Sequence, residues 1–185
     1  MSGWDLPTAA VIGGVSYEIN TDYRDVLDII RRLSDPMANA RTVTYVCLAL
    51  FYNGFESMPQ KDYEEAAAYL MEFINCGETE SDTRPHPKTI DWEQDRSLIV
   101  ADVNKVAGCE VRALPYLHWW TFISYFNGIG DGHLSVVVSI REKLRKGKKL
   151  DEWERDFYRQ NRSKVDFKRV YTNAEDETLN EWIGK

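Results

Sequence analysis

The chain has 185 residues, 43% of them hydrophobic and 29% charged, enough for one globular domain with a sizeable core. Nothing approaches the run of about 18–20 apolar residues that a membrane span requires. The opening residues MSGWDLPTAAVIGG carry neither a basic region nor a long apolar run, which points to a soluble protein working inside the cell that makes it. Cys47, Cys76 and Cys109 are far apart and form no CxxC pair, so they are expected to be reduced and mostly buried, without a metal or redox role. The net charge of −7 is unevenly placed. Residues 141–169 hold twelve Lys/Arg against six Asp/Glu, whereas residues 1–140 hold ten against twenty.

In chain order, residues 10–19 form two short β-prone runs around Gly13-Gly14, a hairpin signal. Tyr23, Val26, Leu27, Ile30 and Leu33 repeat at helical spacing behind the capping candidates Asn20, Thr21 and Asp22. Ser34-Asp35-Pro36 restarts a helix whose stripe is Val43, Val46, Cys47, Leu50 and Phe51. The β-branched residues from Thr42 to Cys47 make a strand the competing reading there, and the length and caps favour the helix. Asp62 to Asn75 is a third helix, with Gly77 just past its end. Residues 78–89, polar with two prolines, read as an exposed loop.

Asp91-x-x-Gln94 resembles a capping box for a fourth helix, with Trp92, Ile99, Val103 and Val106 on its buried face. Leu114 to Ile129 holds eight large apolar residues within eleven positions and reads as the central helix, opened by Pro115 and closed at Asn127-Gly128. A glycine-rich turn leads into Leu134, Val137, Ile140 and Leu144 on a sixth helix with a basic end. Asp151-x-x-Glu154 then caps a seventh, carrying Trp153 and Phe157. The predicted fold is mainly α: a single-domain bundle of six or seven helices behind a short N-terminal hairpin, spanning residues 1–163, with a polar tail over 164–185.

Catalytic signals are weak. His118, inside the apolar helix, reads as a satisfied core histidine; His86 and His133 have no motif around them. Gly128-x-Gly130-x-Gly132 lacks the strand and the Lys-Ser/Thr of a phosphate loop and reads as an interhelical turn. Acidic pairs lie on solvent faces or at helix starts. No GxSxG, HExxH, EF-hand or dinucleotide pattern occurs, so the expectation is a non-catalytic protein without cofactor or metal. The basic run from Arg141 to Lys149 is the strongest charged signal. Nucleic-acid binding is one reading of it, but the acidic remainder weighs against a polyanionic partner, and a solvated helix end accounts for it.

Several stretches together resemble the bacteriophage gene-product-fifteen family. They are Tyr17-Glu-Ile-Asn-Thr-Asp-Tyr-Arg24, Phe73-Ile-Asn-Cys-Gly77, Asp91-Trp-Glu-Gln-Asp95 and Leu117-His-Trp-Trp-Thr-Phe-Ile-Ser-Tyr-Phe-Asn127, followed by Arg141 and Arg155-Asp-Phe-Tyr-Arg159. The Leu-His-Trp-Trp-x-Phe piece is the most specific. The resemblance covers roughly residues 10–160 and implies a tail assembly chaperone of long-tailed phages and prophages. Such a helper keeps the tape-measure protein soluble while tail-tube protein assembles around it. It works in the host cytoplasm and is absent from the finished virion.

On that reading the partners are the tape-measure protein, with the major tail protein and self-association as further contacts, and neither nucleic acid nor membrane is involved. Trp92, Trp119, Trp120 and Trp153 are the candidate aromatic contacts, and Arg141, Lys143, Arg145 and Lys146 the candidate basic ones. A structural tail-completion or connector component of the virion, or a small DNA-binding regulator acting through residues 141–169, are the alternatives.

Overall fold

The computed structural model describes residues 4–78 and 88–168. Strands β1 (Ala9–Ile12) and β2 (Val15–Glu18) pair antiparallel, Ala9 opposite Glu18 and Ile12 opposite Val15. Gly13 and Gly14 both have positive φ, the backbone a two-residue hairpin turn needs. Eight α-helices follow: α1 (Tyr23–Leu33), α2 (Ala40–Phe51), α3 (Tyr63–Ile74), α4 (Arg96–Ala107), α5 (Trp119–Asn127), α6 (His133–Arg145), α7 (Glu152–Gln160) and α8 (Arg162–Val165). All seven helices read from the sequence are present, and α8 is a further single turn. One core runs from the hairpin through α1–α5 to Leu134 of α6, and a small second cluster joins Val137, Ile140 and Val165.

Three helices start later than local signals suggest. Helix α2 begins at Ala40 because the Asn39 side chain accepts the Thr42 N–H (3.1 Å), while Asp35 closes its own turn by accepting the Met37 N–H (2.9 Å). Asp91 does capture the Glu93 and Gln94 N–H groups (2.9 and 2.8 Å). The reciprocal bond to the Asp91 N–H, however, comes from Asp95 (2.9 Å), and α4 starts only after Asp95. Gln94 points elsewhere, to the Asp166 carbonyl and the Lys168 N–H (2.8 and 2.9 Å).

The central helix begins at Trp119, and Pro115 lies outside it. Residues before Trp119 are held extended by the chain entering α1. The Tyr23 N–H donates to the Leu117 carbonyl (3.0 Å), the Trp119 N–H to the Thr21 carbonyl (2.7 Å) and the Leu117 N–H to the Asp22 carboxylate (3.1 Å). Long-range pairing has displaced the first predicted turn.

One expectation about exposure is corrected. The far members of three helical stripes, Leu33, Val106 and Leu144, reach solvent, because each helix runs past the core that it covers. Residues 164–168, the described start of the predicted polar tail, lie on the body. Val165 is buried, Asp166 accepts from the Tyr158 hydroxyl (2.9 Å), and Phe167 lies under the Arg141 guanidinium. Most of the predicted 78–89 loop (residues 79–87) and most of the predicted tail (169–185) lie outside the described residues.

The glycine-rich turn has a packing reason. Asp102 on α4 is buried, and its carboxylate accepts the Leu134 N–H (3.0 Å) at the start of α6, with Lys105 at 3.1 Å. A carboxylate there satisfies an orphan N–H and favours the helix dipole. Gly132 is needed because a β-carbon at that position would collide with the Asp102 carboxylate. Gly132→Ala is therefore expected to destabilise the protein by about 1–3 kcal/mol, the usual range for overpacking. Gly130→Ala, with open space around it, should change the urea midpoint little.

Candidate interaction surface

Leu117-His-Trp-Trp, the most specific stretch of the sequence, is a set of capping devices. The His118 Nδ1 accepts the Trp120 N–H (3.0 Å) and so caps its own helix. Its Nε2–H donates to the Pro7 carbonyl (3.0 Å), which assigns the neutral tautomer. The core-histidine reading holds, for the ring is buried and both nitrogens are used. The Trp119 indole N–H donates to the Ile74 carbonyl and that of Trp120 to the Phe73 carbonyl, each at 2.9 Å. Both carbonyls belong to the last turn of α3, where acceptors have no partner inside the helix. Trp120 also lies against Gly77, whose φ is positive. Trp92 completes the cluster, its ring centroid 6.0 Å from Trp119 and 5.0 Å from Phe126.

The four tryptophans therefore do not form one partner-facing set. Trp119 is only 1% exposed, which corrects its assignment as a contact residue: its ring fills the core and its N–H is spent on α3. Trp92 and Trp120 are half-buried. Trp153, 56% exposed on the first turn of α7, stands apart from them.

The basic candidates divide likewise. Arg141 is 7% exposed, and its assignment as a surface contact is corrected too. All five guanidinium N–H groups are engaged. Nη1 and Nη2 grip the buried Asp95 carboxylate (2.6 and 2.9 Å), and the others reach the carbonyls of Val165 (2.7 Å), Thr89 (3.0 Å) and Lys164 (2.7 Å). The Phe167 ring covers the guanidinium at 4.1 Å. A planar fork of five donors fits this cage and an ammonium does not.

Lys143 is held by Glu154 (2.7 Å) and Asp151 (3.2 Å), whose carboxylates push its pKa above the ordinary lysine value, Glu154 first. Lys146 pairs with Glu142 at 2.9 Å on the helix surface. Arg145 makes no ion pair among the described residues and is exposed. Of the basic run, Arg145, Lys148 and Lys149 are exposed and form no ion pair among the described residues.

Val46 and Leu50, which the sequence reading placed in the buried stripe of α2, lie instead on an exposed, uncharged face. Thr42, Tyr45, Val46, Ala49 and Leu50 share the outer face of α2, at spacings of three and four residues. Four are exposed and Val46 is half-buried; Tyr45 is 52% exposed. The opposite face, with Cys47, Leu48 and Phe51, carries the core. Leu50, placed in the buried stripe by periodicity, belongs to the outer one. A signal was available: no charged residue occurs between Arg41 and Glu56, so α2 has no polar face to give to water. By contrast, the outer side of α1 carries Arg24, Asp25 and Arg31. The Tyr45 ring meets Phe55 and Tyr63 edge-on at 5.1 and 6.2 Å, which fixes the direction in which the stripe presents its hydroxyl.

Among the described residues no group of three or more His, Cys, Asp or Glu converges as a metal site would, and no helix is long and apolar enough to cross a membrane. A cleft of about 250 Å³ is lined by Asp102, Lys105, Val106, Ile129, Gly130 and Asp131. Asp102 there is already bonded to α6.

Two outcomes follow from this geometry. Arg141→Ala leaves the Asp95 carboxylate buried without its partner and is expected to cost about 3–5 kcal/mol in urea denaturation, whereas Arg145→Ala should stay within about 0.5 kcal/mol. Burial depresses the His118 pKa below its ordinary 6.5, against a smaller opposing effect of the Pro7 carbonyl. The unfolded chain then binds more protons than the folded one, so the contribution of this group is complete above pH 6.5 and lost as pH falls. The slope of unfolding free energy against pH between about 7.5 and 5.5 should be shallower in His118→Asn, which keeps an acceptor at the cap. An unchanged slope would exclude His118 as the source.

Set beside known families, residues 5–167 match the family model described as Bacteriophage Gp15 protein. Neither the curated proteins nor the solved structures contain a match.

Proposed function

The chain belongs to the bacteriophage Gp15 family, and from that membership we propose that it is a tail assembly chaperone. It binds the tape-measure protein, and in passing the major tail protein, during tail morphogenesis in the host cytoplasm, and makes or breaks no bond. The observation that carries the mechanism is the uncharged outer face of α2. A tape-measure protein is long and helical, with apolar stripes that aggregate unless covered. A helix bearing a stripe of its own, with Tyr45 as a large and rigid contact, suits the docking of one helix along another.

The tryptophans contribute indirectly on this reading. Trp119 and Trp120 hold the end of α3, which with α1 flanks α2, so the docking face stays rigid without their touching the partner. The free basic residues Arg145, Lys148 and Lys149 act on encounter rate, since rim charges tune association more than affinity.

Co-expression with the tape-measure protein of the same phage should raise its soluble fraction, and the two should co-purify. Tyr45→Asp together with Leu50→Glu is expected to weaken that complex at least tenfold, about 1.4 kcal/mol or more. The thermal midpoint should fall only modestly, because both side chains are exposed and what is given up is the edge contact of Tyr45 with Phe55 and Tyr63, and the far-UV helix signal should be unchanged. A tape-measure protein equally soluble alone, and never co-purifying, would rule the role out.

A further inference from the structure

The end of α6 and the start of α7 carry apolar surface past the edge of the second core. Leu144 continues the α6 stripe of Val137 and Ile140 by one turn and is 40% exposed. Trp153 lies one turn before Phe157, which packs on that core, and is 56% exposed. Lys143 ties the two helices together here through Asp151 and Glu154. On the same helix ends and the loop between them, Arg145, Lys148, Lys149 and Arg155 are exposed and, among the described residues, form no ion pair. Glu142, Asp151 and Asp156 are committed to Lys146, Lys143 and Arg159, so Glu152 alone opposes those four cations locally. Cations elsewhere, such as Arg24, Arg31, Arg32 and Arg112, have carboxylate partners of their own.

The same chain supplies a segment of opposite character. Between Arg169 and Lys185 the sequence holds Glu175, Asp176, Glu177 and Glu181 and no cation, with Leu179, Trp182 and Ile183 among them. Its point of departure is fixed beside α6. The Lys168 N–H donates to Gln94 (2.9 Å), and the Phe167 ring covers the Arg141 guanidinium at 4.1 Å. Arg145 is four residues further along α6, about 6 Å at the helical rise. The seven residues from Lys168 to Glu175 reach up to about 25 Å. A tether this short gives a local concentration of about a millimolar, so contacts too weak to hold a separate peptide suffice.

We propose that residues 174–183 dock on the α6–α7 corner of their own chain. The carboxylates of Glu175, Asp176 and Glu177 meet Arg145, Lys148 and Lys149, and Leu179, Trp182 and Ile183 cover Leu144 and Trp153. Charge selects this place over the others. The outer face of α2 offers four carboxylates no cation between Arg41 and Glu56, and the start of α3, with Asp62, Glu64 and Glu65, repels them. The docked segment occupies the cations that the chaperone reading assigns to encounter, so an acidic partner reaches them only by displacing it. That regulatory consequence rests on the chaperone reading; the docking does not, and its test involves this chain alone.

Zero-length carbodiimide cross-linking of the full chain, mapped on the monomer fraction, tests the location at about 0.05 M and about 0.5 M salt, where screening lengths differ severalfold. At low salt the amines of Lys148 and Lys149 are expected to join Glu175, Asp176 or Glu177, while Lys61, exposed on the far side of the sequence, takes little. At high salt the yield should fall at least fivefold. Hydrogen exchange of the peptides covering 174–183 tests the contact itself. Lys148→Glu with Lys149→Glu should speed their exchange at least fivefold, and adding Glu175→Lys with Glu177→Lys should slow it again, because the swapped charges attract. Trp153→Ala should speed it as well. Unchanged exchange in α1–α3 shows each variant to be folded. Cross-links absent from this corner, or formed only between copies, would overturn the proposal. So would exchange over 174–183 that is as fast as in an unstructured peptide, is indifferent to the lysine reversals, or fails to recover in the charge swap.

Discussion

Four residues, Leu117 to Trp120, close the hydrogen bonding of three other parts of the chain. Their backbone pairs with Thr21 and Tyr23 at the entry to α1, His118 reaches the carbonyl before the hairpin, and the two indoles terminate α3. An interior crossing of this kind is permitted only if its polar groups find partners, since a buried amide or carbonyl left unpaired costs as much as several good contacts return. Each of these residues supplies a donor or an acceptor as well as apolar area. No buried side-chain polar atom is left without a partner among the described residues. The position of α5, and through it the seat of Trp92 and Phe122, follows from this satisfaction.

The Arg141 cage plays the same part for the C-terminal third. The second core cluster is small, and apolar contact among Val137, Ile140 and Val165 is a thin basis for holding α8 to α6. A guanidinium with five committed donors joins α6, the entry to α4 and the last described turn at one point. Buried ion pairs are weak sources of net stability but strong specifiers of arrangement. Here the arrangement specified is that residues 162–168 lie on the body.

These two devices leave the molecule with an inert interior and a differentiated surface. Three of the tryptophans, Trp92, Trp119 and Trp120, and Arg141 of the basic cluster are used up in building the domain. Among the described residues, what faces outward is quieter: an uncharged stripe on α2.

Sequence alone determined the fold class, the hairpin and seven of the helices, because periodicity of two and of 3.6 is a local property that survives without knowing what it packs on. It also carried the family, through the Leu-His-Trp-Trp stretch, and the core role of His118. Helix starts at Ala40, Arg96 and Trp119 escaped it in part, and the last two were set by bonds to Asp95 and to the α1 entry. Tertiary structure alone decided which side of α2 is covered, since both faces are apolar and only the placement of α1 and α3 distinguishes Leu50 from Phe51. It alone decided that Arg141 and Trp119 point inward. A cation and an indole N–H go wherever acceptors converge, and here those acceptors are Asp95, Val165 and Ile74, each more than twenty residues away along the chain.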